Sequence, residues 1–314
     1  MIISYRNLFI IAFPCLTLIA LAIAVRVSES PTDKAIQPGG IVTQEQLKAD
    51  STFFDEEGSQ AKSPAKTVVQ NTGPVITAAA YFVGNVDTGE VYFSKNKSTV
   101  LPVASMSKLI TAIAITDTLT STTTVHITDL SMDVATDTSR LSSGETFTIP
   151  ELLFPLLLNS SNVAAEALAS TSDRAKFLEL MSSYAWEVGM PSTFFADPSG
   201  ISPQNVSTAE DFFNLARYIY KSRPDILKIT RTPSLSVGTT TDHGPHDYRS
   251  THPFVNDPNF IGGKTGRTPE ARETMITIMN INDRPVAIIV LASNNRKGDT
   301  DLLLAKVRTV ISKQ

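Results

Sequence analysis

Hydrophobic positions fall along this chain in three regimes. Leu8 to Val25 carries no charged residue and lies between Arg6 and Arg26, which makes it about long enough to span a bilayer. Ala20-Leu21-Ala22 and Ala22-Ile23-Ala24 are small-x-small sites at which a signal peptidase could cut, so residues 1–27 read as a retained membrane anchor or a cleaved signal, with both open. Residues 28–74 hold no period: Ser, Thr, Gln, Lys, Pro and Gly dominate, as in Gln37-Pro38-Gly39-Gly40. That composition reads as a flexible tether. From residue 75 to 314 apolar positions return at spacings of 2 and 3.6, the pattern of one folded domain.

Within that domain Val75 to Val83 and Glu90 to Ser94 flank Asp87-Thr88-Gly89, a hairpin signature. A helix follows, with Leu109, Ile110, Ala112, Ile113, Ala114 and Ile115 pointing in every direction, so it should be buried through the middle of the domain. Thr123 to Thr148 is polar and predicts no strong element. Helices are predicted over Leu152 to Leu158, Val163 to Ser170 and Asp173 to Val188, where Trp186 reads as packing; Ser207-Thr208-Ala209-Glu210 reads as a capping box opening another. After Pro224 the chain reads as irregular. Thr274 to Ile281 and Pro285 to Ser293 form a second hairpin, and Asp299 to Ile311 a final helix. Strands, helices, then strands predict an α+β domain in which both ends of the domain join one antiparallel sheet around a helical insert.

With 314 residues, 42% hydrophobic, the chain can bury one full core. Its net charge of −4 gives no basic field for nucleic acid. Cys15, the only cysteine, lies in the apolar segment, which leaves the remainder without a disulfide or a thiol nucleophile.

The chemistry concentrates at Ser105-Met106-Ser107-Lys108. A serine opens the buried helix and a lysine follows three residues later on the same face. The helix N-terminus favours developing negative charge on Ser105, and burial together with the dipole pushes Lys108 toward the neutral amine that can take the serine proton. The same spacing at Ser59–Lys62, Ser63–Lys66 and Ser94–Lys97 lacks an apolar helix behind it.

Ser105-Met106-Ser107-Lys108, Ser160-Ser161-Asn162 and Lys264-Thr265-Gly266 stand in the order of the signature of penicillin-binding proteins and serine β-lactamases. Asp197-Pro198-Ser199-Gly200-Ile201, Ser207-Thr208-Ala209 and Leu215-Ala216-Arg217-Tyr218 narrow the likeness. Across roughly residues 78–313 the chain resembles the low-molecular-weight penicillin-binding proteins, the serine-type D-alanyl-D-alanine carboxypeptidases, with their β-lactamase/transpeptidase-like fold. The resemblance implies that Ser105 attacks the carbonyl between two terminal D-alanines with Lys108 as base. It further implies that Ser160 and Asn162 complete the proton relay and hold the substrate amide, that Lys264 adds positive charge, and that the backbone N–H groups of Ser105 and Arg267 form the oxyanion hole. Thr265, beside Gly266, should contact the terminal carboxylate on a strand edge where an extended peptide can lie, with Arg249 or Arg267 as its guanidinium clamp. The implied partners are peptidoglycan stem peptides ending in D-Ala-D-Ala, β-lactam inhibitors and, through the amino-terminal segment, the membrane, with the domain on the extracytoplasmic face or, if that segment is cleaved, secreted or periplasmic.

The alternatives are a β-lactamase and a non-catalytic domain that captures penicillin or peptidoglycan. Between Ser170 and Arg249 no loop equivalent to the β-lactamase glutamate loop is found, the Glu-x-x-x-Asn spacing at Glu210–Asn214 falling inside a predicted helix, and Glu166 reads as structural. No cofactor and no metal is expected: His243 and His246 offer two ligands with no obvious third. None of the four histidines sits in a recognisable nucleophile motif, against a Ser-His-Asp hydrolase.

Overall fold

Strands from both ends of the folded region pair into one sheet because their apolar side chains alternate cleanly between its two faces. The computed structural model describes residues 75–134 and 136–313; the anchor and tether expected over residues 1–74 lie outside the described residues. Among the described residues no helix is long and apolar enough to cross a membrane.

In chain order the elements are β1 (Ala80–Asn85), β2 (Val91–Lys95), β3 (Leu101–Pro102), a 3₁₀ turn (Ala104–Ser107) and α1 (Lys108–Thr118). Then come β4 (Thr124–His126), α2 (Asp129–Met132), β5 (Thr146–Thr148), α3 (Ile149–Phe154), a wide π turn (Pro155–Asn159), α4 (Asn162–Ala169) and α5 (Arg174–Glu187). The rest is β6 (Val206–Ser207), α6 (Ala209–Ser222), α7 (Pro224–Thr230), β7 (Ser234–Val237), β8 (His246–Arg249), β9 (Phe260–Thr268), β10 (Arg272–Ile281), β11 (Arg284–Ser293) and α8 (Arg296–Ile311).

The main sheet runs β2-β1-β11-β10-β9, antiparallel throughout. On β10 and β11, Ile276, Ile278, Ala287, Ile289 and Leu291 face the helical body, whereas Met275, Met279, Val286, Ile288 and Val290 face Leu303, Leu304 and Val307 of α8. Both faces are covered, which is why these strands read as continuous apolar runs. Asn282 and Asp283, both at positive φ, make the two-residue turn between them. On the other side of the sheet α1 is buried from Lys108 through Ile115, as its all-round apolar pattern requires.

Four expectations need correction. Thr123 to Thr148 holds the β4–β5 hairpin and α2, strands of three residues being too short to show a period. The stretch after Pro224 contains α7 and the β7–β8 ribbon. The cap of α6 is Thr208, which accepts from the Asp211 N–H, while Glu210 turns away to Lys97 and Ser98. Trp186 is 71% exposed rather than packed.

The sheet is also tied at its amino-terminal entry. Buried Asp299, in the first turn of α8, accepts from the Thr77 N–H at 2.8 Å, the Thr77 hydroxyl at 2.9 Å and the Ser293 hydroxyl. Asp299→Ala strands these donors, and the expected cost is about 3 kcal/mol of stability. Urea unfolding of the two proteins measures it, and an unchanged midpoint would contradict the anchoring role.

Candidate active site

Ser105 stands in the 3₁₀ turn between β3 and α1, and α1 itself begins only at Lys108. In a 3₁₀ turn residues i and i+3 eclipse. That brings the Ser105 hydroxyl and the Lys108 amine to 2.9 Å. Ala104 holds a left-handed φ of 50°, a strained conformation for a residue with a Cβ. Two glycines make room around it. A Cβ on Gly200, itself at φ 85°, would lie 2.0 Å from the Ala104 carbonyl oxygen, and one on Gly266 would lie 2.9 Å from the Ser105 nitrogen. The Thr274 hydroxyl donates to the Val103 carbonyl at 2.9 Å and fixes the approach to the turn.

Lys108 is wholly buried. Its Nζ donates to Asn162 Oδ1 at 2.7 Å and to the Ser199 carbonyl at 2.6 Å, besides its contact with Ser105. Burial pulls its pKa down to about 7, while Asp197, Asp137 and Glu166 pull it back up.

The second motif is shaped by the break between α3 and α4. Pro155 cannot continue the α3 ladder, and the backbone widens into the π turn. Ser160 closes that turn at φ 63°, and Ser161 caps α4 by accepting from the Ala164 N–H. Against burial, the Asp137 carboxylate is held below its usual pKa range by the bonds it accepts from the Ser139 hydroxyl, the Val163 N–H at 2.8 Å, the Ser161 hydroxyl at 2.7 Å and the Ser139 N–H. Asn162 Nδ2 donates to the Thr136 carbonyl, so its Oδ1 is the atom left facing Lys108.

Lys264 and Thr265 lie on β9, the edge of the sheet beside Ser105. Lys264 Nζ donates to Ser160 Oγ at 2.8 Å and to the Thr265 carbonyl at 2.9 Å. Burial, reinforced by Lys108 and Arg296, drives its pKa well below the usual lysine range. Thr265 shares a hydroxyl–hydroxyl bond of 2.8 Å with Thr251. Behind the strand, buried His252 bonds the Ile276 carbonyl, and desolvation lowers its pKa to about 3, so it stays neutral.

A cleft of about 950 Å³ brings together Ser105, Ser160, Asn162, Thr265, Gly266 and Arg267. Lys108 and Lys264 reach it from below through Ser105 and Ser160. Arg249 is placed elsewhere: it is exposed on β8, its backbone N–H donates to Asn159 Oδ1, and it does not line the cleft. His246 bonds Glu145 at 2.9 Å and His243 stacks on Phe147, which fastens the β4–β5 hairpin beside β8.

Arg296, which does line the cleft, escaped the sequence reading. It donates to the Gly266 carbonyl at 2.9 Å, and its backbone N–H meets Glu273. The signal available was a cation in the first turn of a helix, where the dipole disfavours it. Asp137 was likewise invisible, because it acts through a helix cap, whereas Ser199 stands in a segment that narrows the likeness but acts through a carbonyl that its residue type does not signal.

The family model described as D-alanyl-D-alanine carboxypeptidase matches residues 66–295. The chain is 31% identical over 225 residues to a D-alanyl-D-alanine endopeptidase of Pseudomonas aeruginosa, covering 69% of this chain and 71% of that protein. It is 27% identical to a D-alanyl-D-alanine carboxypeptidase of Bacillus subtilis, covering 69% of this chain and 58% of that one. Among solved structures, a DD-transpeptidase of Streptomyces superposes with a TM-score of 0.66 at 26% identity, over 72% of this chain and 94% of that chain.

Since Gly200 has no space for a methyl group, Gly200→Ala should displace Ala104 and Ser105 together. The expected result is a loss of about 100-fold in labelling of Ser105 by a fluorescent penicillin, the scale of a misplacement near 1 Å. Labelling kinetics measure it, and a wild-type rate would show that the close approach is not required.

Proposed function

The chain belongs to the D-alanyl-D-alanine carboxypeptidase family, and we propose that its cleft hydrolyses the terminal D-Ala-D-Ala bond of peptidoglycan stem peptides through a Ser105 acyl-enzyme. The observation that carries this reading is the buried Lys108 amine, 2.9 Å from Ser105 Oγ with its pKa lowered to about 7.

The neutral Lys108 amine takes the Ser105 proton as Oγ attacks the carbonyl carbon. The oxygen's developing charge is met by the backbone N–H groups of Ser105 and Arg267. As the tetrahedral intermediate collapses, the C–N bond breaks and the leaving D-alanine amine takes a proton from Lys108, directly or through Ser160. The ester at Ser105 is then hydrolysed by water, whose proton returns along the same groups. Asn162 holds the substrate amide. Lys264, bonded to Ser160, keeps that hydroxyl oriented. Thr265 receives the terminal carboxylate, with Arg267 and Arg296, two of the arginines that line the same cleft, as its guanidinium partners.

A second reading, cleavage of cross-linked peptides, is supported by the endopeptidase names of relatives from Pseudomonas aeruginosa and Escherichia coli, 31% and 30% identical. Against a β-lactamase, Glu166 is held by both carboxylate oxygens on Arg174 and does not line the cleft, so it does not activate a deacylating water there. β-Lactam adducts should therefore persist. The family acts on the cell wall outside the cytoplasm; the apolar residues 1–27 would bring the domain there as a retained membrane anchor or as a cleaved signal.

Mass mapping should find a penicillin adduct on Ser105, and purified protein should release D-alanine from a D-Ala-D-Ala peptide; a label elsewhere would sink the assignment. Lys108→Met, which fits the buried site, should abolish labelling while leaving the fold intact. Because the base form of Lys108 exists above about pH 7, the acylation rate should plateau at alkaline pH and fall about tenfold per pH unit well below 7. A profile whose acid limb lies near 10.5 would contradict the lowered lysine.

A further inference from the structure

The catalytic lysine draws on a fourth segment, outside the three motifs. Asp197 is 8% exposed and organises the turn Asp197-Pro198-Ser199-Gly200. Its Oδ1 accepts from the Ser199 N–H at 2.7 Å, the Ser199 hydroxyl at 2.8 Å and the Gly200 N–H at 2.6 Å; Oδ2 accepts from the Ser202 N–H at 2.7 Å. Asn205 closes the turn from behind, accepting from the Ala196 and Asp197 N–H groups and donating to the Asp197 carbonyl and Ser107 Oγ. Held in this way, the turn directs the Ser199 carbonyl onto Lys108 Nζ and seats Gly200 against the Ala104 carbonyl.

An amine nitrogen has three directions besides its bond to carbon. Two of them at Lys108 face acceptors with no proton to give: Asn162 Oδ1 and the Ser199 carbonyl. The neutral amine meets these with its two N–H bonds. Its lone pair is then left for the third direction, toward Ser105 Oγ. With the Ser199 carbonyl displaced, an N–H could turn to Ser105 instead, and the amine would be a donor where a base is needed.

We propose that Asp197 is a positioning residue for acylation: by fixing the Ser199 carbonyl on Lys108 it aims the amine lone pair at Ser105. The proposal rests on the reading of Ser105 and Lys108 as nucleophile and base. Asp197 also acts at a distance. Burial lowers the Lys108 pKa, the Asp197, Asp137 and Glu166 carboxylates raise it, and Lys264 is the neighbouring amine. Removing the Asp197 charge should therefore let Lys108 lose its proton at lower pH.

The test is the rate constant for acylation of the full chain by a fluorescent penicillin between pH 5 and 10, in wild type, Asp197→Asn and Asp197→Ala. Asp197→Asn keeps the side-chain volume and one acceptor but loses the charge and the acceptor for Ser202. Its plateau rate should fall about 10- to 100-fold, and its acid limb should move down by roughly one pH unit. Asp197→Ala should lose at least as much rate; should it fail to fold, the isosteric variant decides alone. A wild-type plateau in Asp197→Asn overturns the proposal, whether or not the acid limb moves. A lowered plateau with an unmoved acid limb marks loosened packing and overturns it too. Absence of labelling in wild type would overturn the assignment of Ser105 itself, a result distinct from either.

Discussion

An amine enclosed in protein, away from water, is the constraint around which this domain is built. A buried ammonium is costly, so burial favours the neutral form of Lys108. Three carboxylates, Asp197, Asp137 and Glu166, work against that pull, and the balance falls at about pH 7. Either influence alone would spoil the chemistry. An exposed lysine would be a cation at neutral pH with no lone pair, whereas one with its pKa driven far lower would be too weak a base to take a serine proton.

The fold delivers this balance by closing the three motifs into a ring. Lys108 bonds Ser105 and Asn162; Ser160, two residues before Asn162, bonds Lys264; Gly266, two residues after Lys264, packs on the Ser105 backbone. Each link comes from a different element: the 3₁₀ turn before α1, the break before α4 and the sheet edge β9. The buried α1 fixes the first, and the antiparallel pairing of β9 with β10 fixes the last. Two backbone approaches with no room for a methyl group, at Gly200 and Gly266, set how near these parts come. The site is therefore a product of the whole domain rather than of one loop.

Much of this was legible in the sequence where side-chain pattern and chemistry coincide. The terminal hairpins announce themselves through apolar runs and turn residues, and α1 through its lack of a polar face. Ser105, Lys108, Ser160, Asn162 and Lys264 stand in a telling order, and the structure gathers them at one cleft. The parts that stayed hidden work through the backbone or at long range. The three-residue strands β4 and β5 are fixed by tertiary pairing and too short to show a period. Ser199 contributes a carbonyl, which any residue has. Asp137 reaches the cap of α4 from more than twenty residues away in sequence. Arg249 looked plausible by position in sequence, yet the β7–β8 ribbon carries it away from the cleft that Arg296 lines.

Acylation of Ser105 depends on the charge state of one side chain, Lys108. Proton–carbon NMR of protein carrying ¹³C at lysine Cε reads it directly, with the Lys108 signal assigned as the one lost in Lys108→Met. This signal should titrate near pH 7. Titration near 10.5, the range of an ordinary surface lysine, would mean that Lys108 is a cation at neutral pH and would contradict its role as the base.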